Sequence, residues 1–324
     1  MKNKFIIVLL ALTIILTSCG REKEKTDDKI EITTSFYPLY DFSQKIGGDR
    51  VRVSNLLKSG NAHGWEPNTK DMKEILGADV IFINGAGFES WVEGIEKSNP
   101  DLNIVDTSLK VDLIELEEDN HEDHDHEGHD HGDHDPHIWL SLDNAISQMD
   151  VIKESLITLD GDNKDYYEGN FQREKDKILD LKARYQEELA PYKGKHFIVP
   201  HEAFGYLARD YGLKQEALEG INSESEPNIR QVKEIVDLCK EKEISTIFYE
   251  YGASSKIAET IAEEVGGKVL ALTTLEVVDK ADIDQGKDYF SLMEMNLENL
   301  LEGLRDKKWL KLKTYLLNMM TILF

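Results

Sequence analysis

Residues 163–190 read NKDYYEGNFQREKDKILDLKARYQEELA. The stretch holds no Pro and a single Gly, and Tyr167, Phe171, Ile178, Leu181, Tyr185 and Leu189 fall near one face, which predicts one long helix stopped by Pro191 and Gly194. On both sides of it, short β-rich runs alternate with amphipathic stretches. Before it, IEITTSFY, VRVSNLL, ADVIFINGA and LNIVD are strand candidates, separated by helical segments such as MKEIL and FESWVEGIE. Just ahead of it, Ile146, Met149, Ile152, Leu156 and Leu159 repeat at helical spacing and predict a helix starting near Asp143. After it come the strand KHFIVP, an amphipathic stretch beginning at Glu202 and running through Tyr211, a helix around Val232 to Cys239, the strand STIFYE, a helix bearing Ile257, Ile261 and Val265, the strand KVLAL, and a last helix carrying Phe290, Met293, Leu297, Leu300 and Leu304. This is the βαβα pattern of α/β lobes, each a mostly parallel sheet flanked by helices. Two such lobes, residues 30–162 and 191–305, are expected on either side of the long helix, with a ligand cleft between them.

The chain begins with Lys2 and Lys4 before an apolar run from Phe5 to Leu16, then Thr17-Ser18-Cys19. Residues 1–18 therefore read as a secretory signal peptide, too short for a comfortable membrane span of about 20 residues. The Leu-Thr-Ser-Cys ending resembles a bacterial lipobox, so Cys19 is expected to carry lipid and residues 19–29 to form a charged tether. The expected location is extracytoplasmic, anchored to the cell membrane through that N-terminal lipid only. Cys239 is then the one remaining thiol, so the body is expected to fold without an intramolecular disulfide and to bury Cys239 on a helix face. A net charge of −25 argues against nucleic acid or an anionic membrane surface as a partner and suits attraction of cations. A monomer is expected. The ending DKKWLKLKTYLLNMMTILF, residues 306–324, fits neither a core helix nor a span.

Residues 120–137 read NHEDHDHEGHDHGDHDPH, in which His121, His124, His126, His129, His131, His134 and His137 alternate with acids. A run this acidic repels itself and cannot bury a core, so 120–136 is expected to be a loop, and its imidazoles to gather metal. His137 stands apart, because Pro136, Ile138 and Trp139 restrict the backbone around it. His63, in GNAHGWEPN, and His201, directly after KHFIVP, both follow strands, where ligands collect in open α/β sheets. A fourth ligand is expected from Glu276, which follows the strand Lys268 to Leu272, with Asp279 or water as substitutes. Three imidazoles and one carboxylate suit Zn²⁺ in tetrahedral coordination better than oxygen-preferring Mg²⁺, Ca²⁺ or Mn²⁺. Glu66 is a candidate acceptor for the second ring nitrogen of His63. His196 reads as a structural residue at a strand start.

The blocks AHGWEP, DPHIWLSLDNA, VPHEAFGYLARDYGL, LEGINSESEPNIRQV, IFYEYGASSKIAETIAEEVGGKVL and YFSLMEMNLENLLEGL, in one order from Ile30 to Arg305, resemble the zinc-specific substrate-binding proteins of ABC transporters, the receptors related to ZnuA and AdcA. The resemblance implies two α/β lobes joined by a rigid helix, a cleft zinc site, and delivery of Zn²⁺ to a membrane permease. The family's three histidine ligands match His63, His137 and His201, and its acidic ligand matches Glu276. Manganese-specific relatives usually carry a carboxylate where His201 stands. Two departures are visible: Ala62 replaces the usual Pro, and Thr273-Thr274-Leu275-Glu276 replaces Asn-Pro-Leu-Glu. The competing readings are a surface zinc store or sensor built on the loop, a manganese receptor of the same family, and a zinc hydrolase. The last lacks any HExxH motif, and the protein is not expected to be an enzyme.

Overall fold

The alternation of β-branched runs with amphipathic segments yields two four-stranded sheets, all of whose pairings are parallel. The computed structural model describes residues 29–116, 134–221 and 227–305. The signal peptide, Cys19, all but the last residue of the tether, the histidines from His121 to His131, most of INSESEP and the tail 306–324 lie outside the described residues. Among the described residues, no helix is long and apolar enough to cross a membrane.

The first lobe contains β1 (Ile30–Thr34), α1 (Tyr37–Gly47), β2 (Val51–Asn55), α2 (Thr69–Gly77), β3 (Val80–Ile83), α3 (Val92–Ser98), β4 (Ile104–Asp106) and α4 (Leu142–Leu159). Then comes α5 (Lys164–Leu189), the helix read from NKDYYEG…EELA. The second lobe contains β5 (His196–His201), α6 (Gly205–Tyr211), β6 (Lys214–Glu219), α7 (Ile229–Lys242), β7 (Thr246–Glu250), α8 (Lys256–Val265), β8 (Lys268–Leu272), α9 (Lys280–Asp284) and α10 (Tyr289–Leu304). The sheet orders are β2-β1-β3-β4 and β6-β5-β7-β8. Both lobes thus use the same order, first strand central and second strand at the edge. In each, the carboxyl ends of the strands supply the loops that reach the cleft.

Helix starts are set by local chemistry. Asn68 caps α2 in a capping box with Asp71, Asn228 caps α7 with Gln231, and Ser141 caps α4 by accepting from Asn144 N–H. Two expectations need correction. The helix expected from Glu202 begins at Gly205, because the chain first makes a tight turn in which Ala203 N–H donates to His201 C=O at 2.9 Å. Strand β6 was not anticipated. As an edge strand it buries only Leu218 fully, so KQEALE shows no apolar alternation. Gly212, at φ +69°, ends α6 in the left-handed conformation and lets the chain reverse into β6.

The long helix buries Tyr167, Phe171, Glu174, Ile178, Leu181, Tyr185 and Leu189, spaced three and four apart. It packs against α1 and α4 of the first lobe and against α6 and α10 of the second. One continuous apolar cluster accordingly runs from Phe36 and Trp139 through Tyr185 to Leu297 and Leu304. Cys239 is buried, in a separate cluster beneath the second sheet. Ion pairing adds to the junction: Lys45 of α1 reaches both Asp41 at 2.8 Å and Asp288, the α10 cap, at 2.7 Å.

Two predictions concern this junction. Tyr185 is fully buried and its hydroxyl donates to Met293 C=O at 2.6 Å. Tyr185→Phe is expected to cost about 1 kcal/mol, and Tyr185→Ala roughly 3–5 kcal/mol, both read by urea unfolding with a chelator present. Lys45→Met leaves Asp41 and Asp288 facing each other without a cation. The loss should be about 2–3 kcal/mol, below the roughly 3–5 of complete burial, and Asp288→Asn in the Met background should recover part of it.

Candidate metal centre

Four side chains from four separate segments of the chain converge between the lobes. His63 lies in the loop after β2, His137 just before α4, His201 at the last position of β5, and Glu276 beyond β8. All are at least nine-tenths buried, and one ligand atom from each lies within 4.8 Å of every other. His137 Nε2 is 3.3 Å from His63 Nε2 and 3.3 Å from Glu276 Oε1, while His63 Nε2 and His201 Nε2 each stand 3.6 Å from Glu276 Oε1. A tetrahedron with zinc–ligand bonds of ~2.0–2.2 Å has edges of ~3.3–3.6 Å. Four of the six edges, the three that meet at Glu276 Oε1 and the one from His137 to His63, already stand at that spacing, and all six are within 4.8 Å.

Each ligand is fixed by its own surroundings. Asn61 Oδ1 accepts from His63 N–H at 3.0 Å, Gly64 takes φ +74°, and the His63 ring meets Phe88 edge-on at 5.7 Å. Asp135 Oδ1 accepts from His137 N–H at 2.9 Å and lies 2.8 Å from its Nδ1, which directs Nε2 and its lone pair at the site. The carbonyl of Pro136 accepts from Asn84 Nδ2 at 2.8 Å. Both ends of the acidic tract are pinned beside it. Asp135 N–H donates to Ile114 C=O, Glu115 bridges His134, and Tyr206 from the second lobe donates to Asp135 C=O while accepting from Ile114 N–H.

On the other side, Glu250 Oε2 lies 3.6 Å from His201 Nδ1, and Glu250 Oε1 accepts from the Thr274 hydroxyl at 2.6 Å. The Glu276 loop is held by a reciprocal pair: Thr273 N–H donates to Asn296 Oδ1 and Asn296 Nδ2 donates to Thr273 C=O, both at 2.9 Å. Leu275 adopts φ +59°, a costly conformation for a branched side chain, immediately before the acid. The replacement of the expected Asn-Pro by two threonines is thus compensated by hydrogen bonds.

The electrostatics follow from burial among these groups. Burial disfavours the charged form of His137, but the carboxylates of Asp135 and Glu276 beside its two ring nitrogens outweigh it and raise its pKa to about 9. Burial pushes the Glu276 carboxyl upward, and the three surrounding histidines overcome this and hold it well below the usual range. Glu250 is raised, first by burial and then by the charge of Glu276. His201 Nε2 and Glu276 Oε1 are buried with no hydrogen-bond partner. Polar atoms in that condition are costly unless a cation or proton satisfies them.

Asp279, the substitute for Glu276, is exposed at the start of α9 and lines the cleft cavity, a space of about 460 Å³ whose walls include His63, His201 and Glu276. Glu66 is placed differently from its expected role. It is exposed, and the carboxylate near His63 is Glu276. Proximity in sequence favoured Glu66, but the chain turns at Gly64 and leaves its side chain facing solvent. His134 is half-buried at the rim, and His196 Nδ1 pairs with Glu216 Oε1 across the sheet at 2.6 Å, away from the cleft. Sequence reading missed Asp135 and Glu250 as histidine-orienting acids. The signals were there: Asp135 stands two residues before His137, and Glu250 ends a strand as His201 does.

Comparison with known proteins gives a consistent picture. The high-affinity zinc uptake system protein ZnuA of Bacillus subtilis is 37% identical over 308 residues, covering 92% of this chain and 97% of the relative. The zinc-binding lipoprotein AdcA of Streptococcus pneumoniae is 33% identical over 93% of this chain, which spans 60% of AdcA. The crystal structure of Zn(II)-bound AdcA superposes with a TM-score of 0.74 at 31% identity, covering 86% of this chain and 58% of that one. Residues 32–303 match the family ZnuA, the periplasmic component A of zinc-uptake complexes, and the chain belongs to that family.

Proposed function

We propose that this chain is an extracytoplasmic receptor that captures Zn²⁺ in the inter-lobe cleft and delivers it to an ABC permease, working as a lipid-anchored monomer. The observation that carries the reading is the convergence of three imidazole nitrogens and one carboxylate oxygen within 4.8 Å of one another, each nitrogen 3.3–3.6 Å from the carboxylate oxygen, with two donors from each lobe. Three nitrogens in a four-donor set favour Zn²⁺ over Mn²⁺, which prefers more oxygen ligands. Four protein donors leave no coordination position for a reacting water, so the chemistry is capture and release rather than hydrolysis. The Lys2-to-Cys19 leader supports export and lipidation at Cys19, and the histidines of 121–134 would gather ions near the cleft.

Capture requires His137 to present a lone pair at Nε2. Asp135, on the opposite ring nitrogen, retains its hydrogen bond as the proton shared toward Glu276 leaves. Glu276, already ionised, supplies the negative charge that neutralises part of the incoming dication. Release requires the ligands of one lobe to be displaced relative to those of the other. A displacement near 1 Å removes a bond whose ideal length is about 2 Å.

Two experiments test this. Calorimetric titration of metal-stripped protein lacking residues 1–19 should find one tight Zn²⁺ site. His63→Ala/His201→Ala should weaken it by at least a thousandfold, and deletion of 120–133, which spares Asp135, should leave it in place. Retention of parental affinity by the double variant would sink the assignment, and loss of nearly all capacity on loop deletion would favour a zinc store. The second is pH. Because the metal-free His137 pKa is raised to about 9, binding below that pH must expel a proton. Affinity should therefore rise with pH from 6 to 8, by up to about tenfold per unit for one proton, with matching proton release in buffers of different ionisation enthalpy.

A further inference from the structure

Trp139 occupies a position that the ligand list does not explain. It is fully buried, two residues beyond His137, and belongs to the first lobe. Its indole N–H donates to the Thr274 carbonyl of the second lobe at 2.6 Å, two residues before Glu276. Its own carbonyl accepts from the hydroxyl of Tyr289, the first residue of α10, also at 2.6 Å. Its ring packs on the His137 imidazole at 5.4 Å and on Phe36 and Phe88 at 4.5 and 5.3 Å, and Phe88 in turn meets His63.

Thr274 is the counterpart node. Its carbonyl takes the indole, its hydroxyl donates to Glu250, and Glu250 faces His201 Nδ1. A single path of contacts therefore joins His137 to Trp139, Thr274, Glu250 and His201, with Glu276 carried on the same loop. The loop needs such a restraint. Leu275 lies at positive φ, and its N–H is held only by the neighbouring Thr273 hydroxyl at 3.1 Å. Without the indole, the Thr274 carbonyl would lose its partner in a buried site, and the strained turn could relax and withdraw the carboxylate.

We infer that Trp139 is a positioning residue of the metal centre: its hydrogen bond to Thr274 sets Glu276 of one lobe against His137 of the other, so that the fourth ligand depends on an inter-lobe contact. The inference rests on the zinc-receptor reading. Its consequence is that a shift between the lobes acts first on Glu276 and His201, through Thr274, while His63 and His137 stay on their common aromatic floor.

The test uses Trp139→Phe, which keeps an aromatic ring and leaves the backbone bond to Tyr289 possible, in the full mature chain. Competition with a chromogenic chelator gives Zn²⁺ affinity, and Co²⁺ substitution reports coordination through its visible absorption. Trp139→Phe should still bind one metal, about 10–100-fold more weakly, as for loss of an orienting partner. The intense Co²⁺ bands of a four-coordinate site should fall toward the weak bands of higher coordination. In the Glu276→Ala background, the same change should cost little more, since the ligand it positions is gone. Parental affinity and spectrum in Trp139→Phe, or full additivity with Glu276→Ala, would overturn the inference. If Trp139→Phe fails to fold, benzothienylalanine at position 139, isosteric but lacking the N–H, serves in its place with the same two outcomes. Failure of the parent itself to bind one Co²⁺ or Zn²⁺ would instead refute the receptor reading.

Discussion

Three imidazole nitrogens and a carboxylate oxygen that all present lone pairs to one point repel one another, and this protein holds them within 4.8 Å of one another. Everything around them can be understood as the scaffold that such a set demands. In water, four side chains of this kind would separate and hydrate. Here each is buried, and each of the rings of His137 and His201 has a carboxylate beside its far nitrogen, Asp135 and Glu250. Asp135, which aims His137, also helps keep a proton on that ring in the metal-free site. The repulsion is thereby relieved without moving the atoms, and a dication can take over that role in place.

The topology explains how residues from four segments can be brought so close. Repeating one strand order in both lobes places the carboxyl ends of two parallel sheets at the cleft, and every ligand follows a strand, directly or by way of the long loop after β4. The segments after β5 and β8 need few residues of their own to reach the centre. His201 needs none, since it terminates β5. The Glu276 loop is strained at Leu275, and it is held by hydrogen bonds from Asn296, Trp139 and its own threonines. Strain of that kind persists only where neighbours over-determine it.

Much of this was legible in the sequence because it is periodic or punctuated. The three- and four-residue spacing of Tyr167 to Leu189 dictated the long helix. Strand runs followed by His or Glu located the ligands, since in α/β folds a polar residue just past a buried strand is already at the ligand-binding end. What escaped was whatever depends on contacts distant in sequence. Edge strand β6 shows no alternation because it has one sheet neighbour and little to bury. Nearness to His63 suggests Glu66 as its orienting acid, yet a turn at Gly64 suffices to send it into solvent. The bond from Trp139 to Thr274 spans 135 positions of sequence and has no local signature.

The continuity of the core limits how the two halves of the site can part. Phe36, Trp139, Tyr185, Tyr289 and Leu297 belong to one cluster, and α5 packs on both lobes. A wide hinge opening would bring such side chains to water. A large aromatic buries about 150–250 Å², which at about 25 cal/mol per Å² is roughly 4–6 kcal/mol for each ring exposed. Exposing two or three would rival the whole stability of a domain. Loss of the metal does not need that much. Because zinc bonds are near 2 Å and their geometry is strict, a shift of about 1 Å in the Glu276 loop breaks one ligand and, through Thr274 and Glu250, tilts a second. The economical route to release is a small slide at the cleft face, with the aromatic floor and the long helix left packed.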